Sequence, residues 1–291
     1  MHFTEAKGIL SARNGMNIYR GCMHGCIYCD SRSRCYQMNH DFEDIEVKRN
    51  AAELLEQKLS SKRKKCMIGT GSMCDPYMHC EAELSLMRRC LEVINRHGFG
   101  IAVQTKSDLI LRDINLIEEI NAKSKAVVQM TLTTADENLC RTIEPAVCAT
   151  AGRAKVLAEC KKRGIPTVVW LSPFLPFIND TEQNVRRLLE ICVQEKVRGI
   201  ICFGIGLTLR EGNREYFYSK LDKHFPGLKE KYVRTYGNAY EVTSPENGRL
   251  MKIITSECQK SGIEWRPEKV FEYMNAFPQE KLDAAQGMFE F

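Results

Sequence analysis

Six short apolar runs, separated by longer amphipathic stretches, are the feature that most constrains the fold of this 291-residue chain. The runs are brief, rich in β-branched residues and bounded by Gly or polar residues, which is typical of strands buried on both faces. They lie at residues 16–19, 66–69, 100–105, 126–132, 166–171 and 199–204. Because strands that alternate with helices form parallel sheets with right-handed crossovers, the pattern predicts an α/β fold.

Apolar residues at steps of three and four predict helices between these runs, over residues 81–97, 152–163 and 182–196. Six strand–helix units predict a partial (β/α)6 TIM-like barrel, because the last 85 residues supply no obvious further strands. We therefore expect a partial barrel over residues 1–205 and a helical C-terminal extension packed on it over residues 206–291.

The composition indicates an ordinary globular protein, with 44% apolar and 27% charged residues. The sequence contains no run of 18 apolar residues that would predict a membrane span, and the N-terminus lacks the basic and apolar regions of a secretory signal. Fourteen cysteines in a long chain without such a signal favour reduced thiols in the cytoplasm over a disulfide scaffold. The net charge of +5 permits a polyanionic partner without requiring one.

The densest chemical signal is a group of three cysteines in residues 19–30, which read YRGCMHGCIYCD. Cys22, Cys26 and Cys29 are spaced so that their thiolates could converge on one iron–sulfur cluster. Such clusters usually have four cysteine ligands, so three would leave one iron open to a substrate or cofactor. The glycines directly before the first and second cysteines would let the loop fold around a cluster.

A zinc knuckle is an alternative interpretation of the same segment, with Cys35 or His24 as the fourth ligand. Unrelated buried thiols fit less well, because the loop is polar and rich in glycine. The spacing of the ligands alone leaves the iron–sulfur and zinc interpretations open.

The CxxxCxxC spacing, with Tyr28 as an aromatic residue before the last cysteine, resembles the radical S-adenosylmethionine (SAM) superfamily. The resemblance implies a [4Fe–4S] cluster on Cys22, Cys26 and Cys29, with SAM chelated at the open iron and Tyr28 among the cofactor contacts. It implies that an electron cleaves SAM to a 5′-deoxyadenosyl radical, and that an external flavodoxin- or ferredoxin-like protein donates that electron.

Across about residues 10–205 the chain resembles the branch that contains spore photoproduct lyase. The stretches that carry this resemblance are GTGSMCDPY at 69–77, QTKS at 104–107, TLTT at 131–134 with the later Glu144–Pro145 pair, and SPFLPFIND at 172–180. Each falls at the C-terminal end of a predicted strand or shortly after one, where barrel enzymes carry their chemistry. The resemblance implies that Lys106 contacts the methionine carboxylate of SAM, a role that suits a cation.

Five further residues are candidate contacts of the cofactor. Ser72 and Thr133 offer hydroxyl groups, with turn or strand-end roles as the alternative. Glu144 is a candidate ribose ligand or helix cap, and Arg153, in the following helix, is its candidate salt-bridge partner. Gly204 follows the sixth strand, where it could admit the adenine to the backbone or form a plain turn.

Cys74 is the candidate catalytic residue. It resembles a cysteine of spore photoproduct lyase, at nearly this distance from the cluster motif, that donates a hydrogen atom to a substrate radical. In that lyase a tyrosine follows the third cluster cysteine and relays the hydrogen atom, whereas this chain has Asp30. The resemblance therefore implies radical generation, and nucleic acid as a substrate class, without implying repair of the same thymine lesion.

Residues 213–240 interleave seven aromatic with six basic side chains. Such a segment can stack on bases and track phosphates, but we favour the alternative that its aromatics seal the open side of the barrel. Three functions remain open: a radical SAM enzyme acting on nucleic acid, one acting on a protein or small molecule, and a non-catalytic iron–sulfur or zinc protein that binds a partner.

Overall fold

The computed structural model describes residues 1–278. Its strands are β1 (His2–Thr4), β2 (Gly15–Met16), β3 (Tyr19–Arg20), β4 (Glu46–Lys48), β5 (Met67–Thr70), β6 (Gly100–Thr105), β7 (Ala126–Thr131), β8 (Thr167–Trp170), β9 (Gly199–Ile201), β10 (Gly206–Thr208) and β11 (Glu241–Thr243). Its α-helices are α1 (Ala51–Ser60), α2 (Glu81–Leu84), α3 (Leu86–Arg96), α4 (Ile114–Lys123), α5 (Glu137–Ile143), α6 (Thr150–Lys162), α7 (Glu182–Gln194), α8 (Asn213–His224), α9 (Leu228–Tyr236), α10 (Asn247–Ser261) and α11 (Pro267–Asn275).

Six strands form one parallel sheet in the order β2-β5-β6-β7-β8-β9. Strand order follows chain order, because each connection crosses back over the sheet in the same sense. The sheet has two edges, at β2 and β9, so it is an open barrel, and the predicted partial TIM-like α/β fold is confirmed.

The two faces of the sheet bury different residues. Ile101, Val103, Val128 and Val169 face outward into the main hydrophobic core with the surrounding helices. On the inner face, α11 fills the end of the barrel at which the strands begin. The residues of this inner cluster are Met67, Ala102, Val127, Val168, Ile201, Val270 and Met274. The chemistry is thereby confined to the opposite end, where the strands finish.

Two smaller sheets flank the barrel. β1 pairs in parallel with β4, which pairs antiparallel with β3. β10 and β11 form an antiparallel pair within the region expected to be helical. The sequence prediction missed this pair because each strand has three residues, too few to establish a period of two.

The predicted helix over residues 81–97 is two helices, with a break at Ser85, whose φ is +49°. Glu81 stabilises the break, because its carboxylate accepts hydrogen bonds from the backbone N–H groups of Leu86 and Met87 at 3.0 Å. The apolar spacing continues across the break, so periodicity alone indicates one helix.

The C-terminal extension is integrated with the barrel. Leu250, Ile254 and Cys258 of α10 belong to the main core, and α10 packs against α7. The division between residues 205 and 206 stays a prediction, and residues 279–291 of the predicted extension lie outside the described residues. Within residues 1–278, no helix combines the length and the apolar character that crossing a membrane requires.

The aromatic residues of α8 and α9 form a second apolar cluster against the cysteine loop. Phe217 and Tyr232 are fully buried, and they share this cluster with Cys26, Ile27 and Tyr28. These two rings therefore pack against the cysteine loop, and the favoured role of the aromatics in sealing the open side of the barrel stays a prediction.

Candidate active site

The loop that carries the three cysteines follows β3 and is held by contacts with distant segments. The backbone N–H of Cys22 donates to the carbonyl of Phe42 at 3.0 Å, and that of Ile27 donates to the carbonyl of Ile143 at 3.0 Å. Gly21 has φ +86°, and a Cβ there would lie 2.5 Å from the Phe42 oxygen, so the loop requires glycine at this position.

All three cysteines line one cavity at the C-terminal end of the parallel strands, which we call the cluster cavity; its empty volume is about 500 Å³. Cys22 and Cys26 are 8% and 6% exposed, and Cys29 is partly exposed. Burial raises the pKa of the Cys26 thiol to about 12, although the neighbouring Lys106 charge lowers it. A metal ion that binds these thiols must therefore displace their protons.

Asp75, which the sequence analysis did not select, orders one side of the cluster cavity. Its carboxylate accepts hydrogen bonds from the Thr105 hydroxyl and the Lys106 N–H, both at 2.7 Å, and lies 3.0 Å from His24 Nε2. Burial acts to raise the pKa of Asp75, but attraction to His24 and these hydrogen bonds outweigh it and bring the pKa to about 2. Asp75 thus fixes the backbone that presents Lys106.

The two candidates for a fourth zinc ligand are placed differently. His24 lines the cluster cavity, with Nδ1 3.2 Å from the carbonyl of Ala146 and Nε2 3.0 Å from the Asp75 carboxylate but without a hydrogen bond. Cys35 is exposed, accepts a hydrogen bond from Arg210 Nη1 at 3.2 Å, and lies outside the residues that line the cluster cavity. The geometry therefore disfavours Cys35 as a fourth ligand, and membership of a family decides between the iron–sulfur and zinc interpretations.

Tyr28 is backed by a buried ion pair. Its hydroxyl donates to Oε1 of Glu144, and Oε2 of the same carboxylate lies 2.6 Å from Arg153 Nη2, with both charged side chains fully buried. Burial acts to raise the pKa of Glu144, but the Arg153 and Lys106 charges lower it below its usual value. The predicted Glu144–Arg153 pair is confirmed; both residues lie behind Tyr28 and outside the cavity lining, so their contact with the cofactor stays a prediction.

Of the remaining candidate cofactor residues, some line a cavity and one does not. Ser72 and Lys106 line the cluster cavity, and Gly204 lines the neighbouring cleft described below. Thr133 is fully buried and lies outside both linings, whereas Thr131, two residues earlier, lines the cluster cavity. The hydroxyls of Thr131 and Thr133 are both buried without a hydrogen-bond partner. Only Thr131 lines the cluster cavity, where its hydroxyl fits a site that receives a polar ligand.

Thr131 could have been identified from the alternation of side chains along β7. Val127 belongs to the inner cluster beneath the barrel, so Gln129 and Thr131, two and four residues later, point to the same inner face. The strand end therefore presents Thr131 to the cavity, and Thr133 follows after the strand has finished.

The cluster cavity shares part of its wall with a larger cleft, which we call the substrate cleft, with an empty volume of about 1440 Å³. The residues shared by the two linings are Tyr28, Cys29, Ser31, Ser72 and Lys106. The side chain of Phe203 is 66% exposed at this cleft and lies near Trp170, with ring centroids 6.2 Å apart. The charged lining residues are Asp30, Lys106 and Glu241, so acids outnumber bases.

Cys74 lines the cluster cavity but not the substrate cleft. It is 5% exposed, and its thiol donates to the carbonyl of Tyr19 at 2.9 Å. Burial raises the pKa of this thiol to about 12, so it stays protonated at neutral pH. The hydrogen-donor role of Cys74 remains a prediction.

Comparison with known proteins extends these observations. The chain is 28% identical over 235 residues to the uncharacterized protein Rv2578c of Mycobacterium tuberculosis, covering 78% of this chain and 68% of that protein. It is 30% identical over 176 residues to the uncharacterized protein MJ0683 of Methanocaldococcus jannaschii, covering 60% of this chain and 65% of that protein. In fold it is similar to a spore photoproduct lyase mutant with bound AdoMet and dinucleoside spore photoproduct, with a TM-score of 0.61, 12% identity, and coverage of 85% of this chain and 74% of the other.

The family model of the Radical SAM superfamily matches residues 16–192, which include the cysteine loop and the sheet from β2 to β8. A [4Fe–4S] cluster and SAM are the cofactors of that superfamily, and an external reductant is required. The three-cysteine cavity and the unpartnered Thr131 hydroxyl fit such a pair of cofactors. The chain is an enzyme of the Radical SAM superfamily.

Proposed function

We propose that this enzyme cleaves SAM at a cluster held by Cys22, Cys26 and Cys29, and that the radical so formed acts on a substrate in the substrate cleft. The observation that carries this proposal is the wall that the two cavities share, which includes Lys106 and Ser72. A molecule of SAM that spans the shared wall would have its methionine end near the cysteines and its adenosine end at the cleft.

Different residues of the chain are proposed to bind different parts of SAM. The bound, reduced cluster supplies the electron that breaks a carbon–sulfur bond of SAM. Lys106 is positioned to pair with the methionine carboxylate, because Asp75 anchors its backbone N–H at the cavity wall. Ser72 and Tyr28 contribute polar and aromatic contacts, Glu144 and Arg153 hold Tyr28 in place, and Gly204 admits the adenine side. Thr133 acts indirectly, as a neighbour of Thr131.

The first test is anaerobic reconstitution followed by measurement of 5′-deoxyadenosine from SAM under reducing conditions. We expect Cys22→Ala, Cys26→Ala and Cys29→Ala each to lose the cluster absorbance and to form no 5′-deoxyadenosine. Cys66→Ala is the matched control, since Cys66 is a partly exposed thiol before β5, at the other end of the sheet. Loss of metal in Cys35→Ala would instead support the zinc knuckle.

The electron donor that we propose is a flavodoxin- or ferredoxin-like protein, as the resemblance implies. A reduced flavodoxin should support 5′-deoxyadenosine formation in place of a chemical reductant. Failure of both flavodoxin and ferredoxin, with a chemical reductant still active, would contradict this choice of donor.

We propose a nucleobase as the part of the substrate that enters the cleft. The support is Phe203, whose exposed ring at the cleft can stack on a planar base. Base–aromatic stacking contributes about 1–3 kcal/mol, so Phe203→Ala should weaken binding of a labelled single-stranded DNA by roughly 5- to 150-fold. Phe3→Ala is the control, because Phe3 is also exposed but lies on β1. Equal binding by both variants would refute the stacking role.

The charge of the substrate cleft favours a second candidate, a radical SAM enzyme that acts on a peptide or small molecule. Asp30 and Glu241 line the cleft against one base, Lys106, and they disfavour a phosphate backbone along its wall. Measuring DNA affinity against salt separates the candidates. A phosphate footprint gives a steep decline with salt, whereas DNA binding that is absent at low salt would favour the second candidate.

The hydrogen-donor role of Cys74 is proposed on its place in the cluster cavity. Cys74→Ala should then keep SAM cleavage and cluster absorbance while substrate turnover falls. Unchanged turnover would remove Cys74 as the donor and leave its hydrogen bond to Tyr19 as a structural contact.

A further inference from the structure

Three metal-ligating side chains converge on the small sheet, away from the cysteine loop. One ring nitrogen each of His2 and His40 and one carboxylate oxygen of Glu46 all lie within 4.8 Å of one another. His2 and Glu46 are paired positions of the parallel strands β1 and β4. Neither the cluster cavity nor the substrate cleft is lined by any of the three.

The second nitrogen of each imidazole is oriented as in metal sites. His2 Nδ1 lies 2.9 Å from Asp44 Oδ2, and His40 Nδ1 lies 3.0 Å from the carbonyl oxygen of Asp41. Because a carboxylate or carbonyl oxygen only accepts, each Nδ1 must donate. A neutral ring then presents the lone pair of Nε2, and this outer contact to a carboxylate or carbonyl is the usual support of a metal-binding histidine.

The Nε2 atom of His40 is buried and has no hydrogen-bond partner. It lies 3.8 Å from Glu46 Oε2, too far for a hydrogen bond. In a tetrahedral site with metal–ligand bonds near 2.1 Å, two ligand atoms are about 3.4 Å apart. An ion between these two atoms would therefore need a shift of a few tenths of an ångström.

We propose that His2, His40 and Glu46 bind a divalent transition-metal ion of the zinc class. Two imidazole nitrogens and one carboxylate oxygen form a donor set that suits Zn²⁺, with water at the remaining position. The ion would link β1 to β4. β4 also pairs with β3, which leads into the cysteine loop, so the ion would brace the segment on which that loop is mounted.

The loop between His40 and Glu46 provides a second connection to the cysteines. It contains Phe42, whose carbonyl accepts the hydrogen bond from the Cys22 N–H. Zinc binding should therefore raise the melting temperature of the enzyme and slow loss of its cluster in air.

The experiment uses cluster-loaded enzyme, so that the three motif cysteines are occupied, dialysed against defined free Zn²⁺. Metal content is counted by mass spectrometry, and the zinc ligands are identified by X-ray absorption. We expect one additional Zn²⁺ per chain with nitrogen and oxygen ligands and no sulfur. His40→Ala and Glu46→Gln should weaken binding at least tenfold. His97→Ala is the matched control, because His97 has one carboxylate partner, Glu56, on α1.

Sulfur ligands, or unchanged zinc content in both His40→Ala and Glu46→Gln, would overturn the proposal. Because His40 is mostly buried, His40→Ala must first match the circular dichroism spectrum of the wild type. If it does not, zinc binding by His2→Gln is measured in its place, since the His2 side chain is 39% exposed and its replacement should disturb the small sheet less. These outcomes are measured as metal content and ligand type, so they do not depend on whether the enzyme cleaves SAM.

Discussion

Replacing Arg153 with methionine would leave Glu144 as a buried carboxylate without its cation. Both side chains are fully buried, with their charged atoms 2.6 Å apart. At an effective dielectric constant of about 20, two charges at that distance attract by about 6 kcal/mol, part of which desolvation offsets. Breaking one side of such a pair should destabilise the fold by about 3–5 kcal/mol. The carbonyls of Cys148 and Thr131 would also lose their Arg153 donor.

The stabilities of the wild type and of Arg153→Met should change in opposite directions with pH. In the wild type the pKa of Glu144 is below its usual value, so its contribution to stability is present above pH of about 4.3 and is lost as the pH falls through the lowered pKa. In Arg153→Met, burial acts without the arginine and should raise the folded pKa. The stability of the variant should then decrease as the pH rises above about 4.3, opposite to the wild type.

Thermal and urea unfolding of cluster-loaded enzyme, between pH 4 and pH 8, measure this effect. A loss of 3–5 kcal/mol corresponds to a melting temperature lower by about 5–8 °C for a chain of this size, because the unfolding entropy is about 2.1 cal/mol/K per residue. Arg153→Lys, which keeps the charge but not the forked geometry, should lie between the two. Wild-type stability in Arg153→Met at all pH values would refute the view that this ion pair holds the wall behind Tyr28.

Three further substitutions test the rest of the site. Gly71→Ala should lower the free energy of unfolding in urea by about 3 kcal/mol or more, because Gly71 has φ +100° and a Cβ there would lie 1.9 Å from the Gln104 backbone oxygen. Gly69→Ala is the control and should fold normally, because a Cβ at Gly69 would meet no atom within 4 Å. The lowered pKa of Asp75, about 2, should make the wild type lose about 2–3 kcal/mol of stability as the pH falls from 4 to 2. Asp75→Asn should lose less stability over this range. A dependence of urea unfolding on pH equal to that of the wild type would contradict this. Lys106→Met should raise the KM for SAM tenfold or more while the cluster stays intact. An unchanged KM would refute the proposed contact between Lys106 and the methionine carboxylate of SAM.

The sheet could be predicted because each buried strand has to be apolar on both faces. β6 and β7 match the apolar runs at 100–105 and 126–132 almost residue for residue. The first run, 16–19, is divided instead: Met16 ends β2 in the barrel, and Tyr19 begins β3 in the small sheet. Composition gives no sign of this division, because both pieces are buried and apolar.

The candidate site was predictable where local spacing defines it and not where the tertiary fold defines it. The three cysteines lie within eight residues of one another, so their shared role is visible in the sequence. Asp75 acquires its importance from His24 and Lys106, which are 51 residues before it and 31 after it in the chain, and a single sequence holds no record of such contacts. Thr133, which was selected from the TLTT stretch, lies two residues after the end of β7 and outside both linings, and its role as a cofactor contact stays a prediction.

Asp30 shows how the same cysteine loop can serve different chemistry beyond SAM cleavage. At the position where the resemblance implies a hydrogen-relaying tyrosine, the Asp30 carboxylate accepts hydrogen bonds from Tyr36 at 2.9 Å and Ser33 at 3.1 Å. It also lies 3.6 Å from Arg210, which follows β10, so it joins the loop to the wall of the substrate cleft. A carboxyl group is not the phenol on which the relay in spore photoproduct lyase depends, so that relay does not carry over to this chain. The groups that contact the substrate are therefore to be sought along the substrate cleft, which Asp30 lines.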